Sequence, residues 1–106
     1  MVSMVAIREF NDRLVTDYHP LRVVLFGSYA RGTATNDSDV DLLVVMPYDG
    51  KAADIAVDMR LRLRPQFPID LVVRTPDKLA ERLAQGDVFL REVVATGKVL
   101  YETTNR

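Results

Sequence analysis

The chain of 106 residues contains no cysteine. That excludes a disulfide framework and any thiolate metal site, and it fits a reducing compartment, by default the cytoplasm, better than secretion. Histidine is nearly missing too. The one histidine, His19, stands before Pro20 in a turn ahead of the first expected strand. It has no second histidine with which to bind a metal and no evident route to a serine, so serine-nucleophile chemistry is excluded and a helix-terminus role is expected. Charge of one sign is absent as well, since 14 basic and 15 acidic side chains leave a formal net charge of −1. Such a balance exerts no long-range pull on polyanions, and direct nucleic-acid binding is not expected. No hydrophobic run is long: the longest unbroken one, Leu42 to Met46, is far short of a membrane span. The opening MVSMVAIREF puts Arg8 and Glu9 where a signal peptide needs its apolar core. Neither a membrane segment nor a leader is expected. Repeats and low-complexity stretches are also lacking.

What is present is 48% apolar residues, enough for one real core in one domain spanning residues 1–106. Of the acidic residues 11 are aspartate, a type that favours caps, turns and metal sites over helix interiors. Ser3 suits the N-cap of a helix whose apolar positions Ile7, Phe10, Leu14 and Tyr18 fall at helical spacing and which His19-Pro20 ends. Leu21 to Phe26 reads as a strand bounded by Gly27-Ser28, with a short helical turn over Ser28 to Arg31. Val40 to Met46 is apolar on both faces, the mark of a central strand covered on both sides. Lys51 to Arg64 is helical before Pro65, and Ile69 to Arg74 is the third strand. Thr75-Pro76 launches a helix over Asp77 to Gln85, and a last helix over Val88 to Thr96 ends at Gly97, read as its C-terminal cap. Val99 to Tyr101 is expected as an edge strand. The order is that of a compact α/β (α+β) fold.

Asp39 and Asp41, two residues apart on an extended chain, project from one face with roughly 6.6 Å between their Cα atoms. Asp70 opens the third strand as they open the second, and the intervening helix makes a parallel crossover, which brings all three acids to one end of one sheet. Gly27-Ser28 follows the C-terminal end of the first strand and meets them only if the first two strands are antiparallel. A mixed sheet is therefore predicted. Three ionised carboxylates at that edge repel one another unless a cation lies between them, and the oxygen-only donor set suits Mg2+ or Mn2+ used with substrate phosphates. Gly27 admits an anion close to the backbone, Ser28 offers a hydroxyl, and Arg31 adds a fork of donors. Arg60, Arg62 and Arg64 read as a solvated helix face, and Lys98 as a helix-end residue outside the site.

The segment GSYARGTATNDSDVDLLVV, with Gly27-Ser28, ten intervening residues and then Asp39-Val40-Asp41, resembles the signature of the DNA polymerase β-type nucleotidyltransferase superfamily. Asp70 in PIDLVV stands where that superfamily carries its third carboxylate, and the chain's size resembles the minimal nucleotidyltransferases, the MNT group. The resemblance implies a nucleotidyltransferase fold and Mg2+-dependent transfer of AMP from ATP by two-metal catalysis. Catalytic and metal-binding roles fall on Asp39, Asp41 and Asp70, and nucleotide-binding roles on Gly27, Ser28 and Arg31. It also implies a partner: in HEPN/MNT toxin–antitoxin pairs the small enzyme is the antitoxin and modifies a tyrosine of the HEPN ribonuclease toxin. Larger superfamily members use a second, helical domain to hold base and acceptor. None is read here, so a partner or a second copy of the chain is expected to finish the pocket. Two other functions share the same acids or fold: a nucleotidyltransferase acting on small molecules such as aminoglycosides, and a non-catalytic nucleotide-binding or steric antitoxin module.

Overall fold

The computed structural model describes residues 1–103. Its first helix, α1 (Met4–Tyr18), starts where Ser3 Oγ accepts the Ala6 N–H at 3.1 Å and stops where His19 turns left-handed at φ 51°. It buries Ile7, Phe10 and Leu14 on one stripe, the positions that helical spacing selects. Then follow β1 (Arg22–Phe26), the single turn α2 (Ser28–Arg31), β2 (Val40–Val45), α3 (Ala52–Leu63) and β3 (Ile69–Arg74). After β3 the chain makes α4 (Pro76–Ala84), α5 (Val88–Thr96) and β4 (Lys98–Glu102). No helix among the described residues is long and apolar enough to cross a membrane.

The four strands form one mixed sheet in the order β3-β2-β1-β4. β1 is antiparallel to both neighbours, and β2 and β3 are parallel, as the placement of Gly27 and the acids requires. Alternation along the strands sends side chains into two apolar layers. Val23, Leu25, Val40, Leu42, Val44, Leu71 and Val73 pack under α1 and α3. Val24, Phe26, Leu43 and Val45 pack under Leu79 of α4 and Leu90 and Val93 of α5. The apolar run of β2 is thus explained by its interior position with a helical layer on each face. Asp87 fixes α5: its carboxylate accepts the Leu90 N–H at 2.9 Å and the Arg82 guanidinium at 2.8 and 3.1 Å. These contacts, the backbone one foremost, hold its pKa below the usual carboxylate range.

One local expectation is corrected, and one is met for a different reason. Lys98 does not end a helix; it begins β4 and registers with Leu25 of β1. Gly97 is the C-cap of α5, its N–H donating to the Val93 carbonyl at 2.8 Å, with extended backbone (φ −71°, ψ 161°) in place of the left-handed turn that usually selects glycine. Its reason is close approach, because a Cβ there would run into Val24 Cγ1 and the Val93 carbonyl. Replacing Gly97 by alanine is therefore expected to lower stability by about 1–3 kcal/mol through overpacking, read as a fall in urea midpoint at unchanged slope.

Candidate active site

The parallel register sets Asp41 of β2 directly beside Asp70 of β3, and the antiparallel register sets the same Asp41 opposite Phe26 of β1. By strand alternation Asp41 shares its face with Leu43 and Val45, the face covered farther along by α4 and α5. Asp39 lies two residues upstream. The Val40 N–H donates to the Pro68 carbonyl at 3.0 Å, tying the approach to β2 to the approach to β3 and holding the acids at one end of the sheet. Asp41 is half-buried, whereas Asp39 and Asp70 are exposed. Burial pushes the pKa of Asp41 up, the charges of Asp70 and Asp39 push it further the same way, and Arg31 opposes them. Asp41 therefore feels both of the other acids that the sequence singles out, and Arg31 as well. The acids form an open cluster: among the described residues no three His, Cys, Asp or Glu side chains close up into a metal cage.

Gly27 stands at the end of β1 with φ 73° and ψ −152°, a conformation that side chains rarely tolerate. The Asp41 carboxylate lies against its Cα, in the space a Cβ would need. The Gly27 carbonyl accepts the N–H groups of both Ala30 and Arg31 at 3.1 Å, which winds α2 into one tight turn. As the first donors of that turn, the Ser28 and Tyr29 amides have no carbonyl within it to bond. Gly32 closes the turn at φ 76°. The loop back to β2 ties itself: Ser38 Oγ accepts the Thr35 N–H at 2.9 Å, and the Ser38 N–H donates to the Thr35 carbonyl at 3.1 Å. Gly27, Ser28 and Arg31 are thereby delivered to the same end of the sheet as the carboxylates.

Residues set aside in the sequence stay apart from this cluster. His19 is an exposed C-cap whose N–H donates to the Val15 carbonyl. Arg62 lies over the Tyr18 ring at 5.8 Å, and the Tyr18 hydroxyl donates to Asp58 at 2.6 Å. Burial, reinforced by the Asp58 carboxylate, pushes that hydroxyl's pKa up to about 12. One feature beside the site is not legible in the sequence. A pocket of about 150 Å³ lined by Phe26, Phe89, Val93 and Thr96 opens beside Gly27 and Arg31. The only sequence hint was an aromatic residue next to the buried position Leu90 on α5.

Two measurements follow from this geometry. Because the folded state raises the Asp41 pKa, it holds the proton more tightly than the unfolded chain, so stability falls as pH climbs from 3.8 through the raised value. In metal-free buffer Asp41→Asn is therefore expected to melt higher than the wild type at neutral pH, the difference shrinking as pH falls toward 3.8. Gly27→Ala, forced into a positive φ and against Asp41, is expected to lose about 1–3 kcal/mol in denaturant titration.

Comparison with known proteins gives a consistent result. A Methanocaldococcus jannaschii protein, provisionally named a protein adenylyltransferase, is 34% identical over 100 residues, covering 91% of this chain and 95% of its own length. A solved toxin–antitoxin structure with AMP-PNP superposes with a TM-score of 0.61 at 26% identity, over 92% of this chain and 74% of that one. The toxin–antitoxin MntA–HepT shares the fold, with a TM-score of 0.54 at 22% identity over 95% of this chain and 74% of that chain. A family model, that of the nucleotidyltransferase domain, matches residues 7–97, from the first buried position of α1 to the glycine that seats α5. This chain belongs to the nucleotidyltransferase domain family.

Proposed function

We propose that residues 1–106 act as one nucleotidyltransferase domain that transfers AMP from ATP to a hydroxyl of a partner protein, the acceptor being a tyrosine of a HEPN ribonuclease toxin in the cytoplasm. The observation that carries the reading is the register of Asp41 with Asp70 beside the bare backbone of Gly27. Asp41, whose pKa is pushed up by burial and by the charges of Asp70 and Asp39, forms with those two an oxygen-only donor set suited to a hard divalent cation. Asp39, Asp41 and Asp70 would hold Mg2+ or Mn2+, which would neutralise these acids and draw charge from the triphosphate and the acceptor hydroxyl.

The chain's own residues divide the remaining work. Gly27 lets phosphate oxygens reach the backbone, while the Ser28 hydroxyl and the Ser28 and Tyr29 amides donate to them. Arg31 offers its guanidinium fork from the end of the same turn. Asp70, exposed on the edge strand β3, faces the side from which an acceptor arrives, and its carboxylate takes the hydroxyl proton. A bond forms between the acceptor oxygen and the α-phosphorus, the bond from α-phosphorus to the bridging oxygen breaks, and pyrophosphate leaves. The partner is supported by the similarity to a toxin–antitoxin structure holding AMP-PNP and to a relative named for protein adenylyl transfer. The exposed edge at Asp70 supports a pocket that the partner completes.

Transfer of label from α-phosphate-labelled ATP to a HEPN partner protein is the test. Asp39→Asn with Asp41→Asn is expected to reduce labelling by at least about a hundredfold, as is chelation of divalent cations. Undiminished labelling in the double variant overturns the assignment of the acids, and labelling of a small hydroxyl compound in place of the partner overturns the acceptor.

A further inference from the structure

Beside the proposed phosphate-binding turn lies a ring-sized recess that the transfer reaction does not yet use. It is walled by Phe26 at the end of β1 and by Phe89 and Val93 of α5, and it opens directly beside Gly27 and Arg31. Its volume, about 150 Å³, is of the order that admits one aromatic ring. Phe26 and Phe89 meet edge to face, their centroids 5.5 Å apart and their planes at 80°, so neither ring is stacked face to face by the other. Phe89 remains 49% exposed, on a helix that turns Leu90 and Val93 into the core. A half-exposed aromatic side chain costs free energy in water, yet the helix bearing it is held firmly by the Asp87 cap and the Arg82 pair. Glu92, an acceptor, and Thr96 stand on the same wall. Thr96 Oγ donates to the Glu92 carbonyl at 2.8 Å, which leaves the Glu92 carboxylate free of that contact. A second basic recess, at Arg74, Lys78 and Arg82, lies at the far end of β3 from Asp70 and is less suited to the substrate. Its Lys78 and Arg82 are already paired with Glu81 and Asp87.

We infer that the recess between Phe26 and Phe89 seats the heteroaromatic base of the nucleoside triphosphate, with Phe89 as its stacking platform. This deepens the proposed function and rests on it, since the phosphates at Gly27 and Ser28 are what bring a base to this wall. Stacking on an aromatic ring tolerates every base because every base has a π-face, so Phe89 supplies affinity for the base as such. Any choice among bases falls to polar groups such as the Glu92 carboxylate, which favours bases that present N–H donors.

Equilibrium binding of ATP and of inorganic tripolyphosphate, measured in Mg2+ on the whole chain, separates the base from the phosphates. Phe89→Ala is expected to weaken ATP about tenfold, the loss of one base–aromatic stack, while tripolyphosphate binding is unchanged. Thr96→Phe, which fills the recess and leaves Phe89 in place, is expected to do the same. Equal weakening of both ligands, or ATP binding indifferent to both variants, overturns the base seat while leaving the phosphate reading intact. A wild-type chain that binds neither ligand overturns the proposed function and the base seat together.

Discussion

The mutual repulsion of three carboxylates is the constraint to which the rest of the site answers. Like charges about 4 Å apart repel by about 1 kcal/mol in bulk water and by about 4 kcal/mol at the effective dielectric of a protein surface. Against a total stability of about 5–15 kcal/mol for an ordinary domain, crowding of this kind is not incidental. The upward shift at Asp41 comes first from its burial, and the charges of Asp70 and Asp39 add to it. The structure withstands it through backbone pairing on both sides of β2, and through apolar layers under α1 and α3 on one face and under α4 and α5 on the other. A surface kept under electrostatic strain by a strong scaffold is set up to bind positive charge tightly.

The same pairing explains why the glycine–serine turn is where it is. An antiparallel β1 ends next to the beginning of β2, so the residue after Phe26 arrives beside Asp41. That leaves no space for a side chain, and the backbone there is also left-handed, so two independent requirements select glycine at one position. Gly97 meets only the first requirement: its backbone is extended and its neighbours are Val24 and the Val93 carbonyl. Both glycines sit where a helix or turn must approach a strand closely, one to shape the site and one to seat the helix beside it.

Much of the fold was legible because it follows from local rules. Ser3 and Thr75 each accept the backbone N–H that an N-cap should accept. The bounds of β3 and α5 coincide with those read from residue pattern, and the mixed sheet followed from asking which strand directions bring Gly27 to the acids. The cluster of Asp39, Asp41 and Asp70 was legible for the same reason, since strand alternation and a parallel crossover are enough to gather them. Lys98 was misplaced because a residue between a helix and a strand carries no periodicity of its own. The reason for Gly97 was missed because a steric contact with Val24 involves positions far apart in the chain. The Phe26–Phe89 recess was missed on similar grounds, as its walls come from β1 and α5, which lie far apart in the chain.

Sequence alone determined which residues carry charge to the end of the sheet, which segments are helix or strand, and which way the strands must run. All of these follow from spacing along the chain and from interactions reaching a few residues. Tertiary structure alone decided how strongly the acids perturb one another, why a Cβ is forbidden at Gly27 and Gly97, and that two distant phenylalanines frame a recess beside Arg31. Those properties depend on distances between atoms that only packing brings together, and both Coulomb energy and steric overlap change steeply over the few ångström that sequence spacing leaves undetermined.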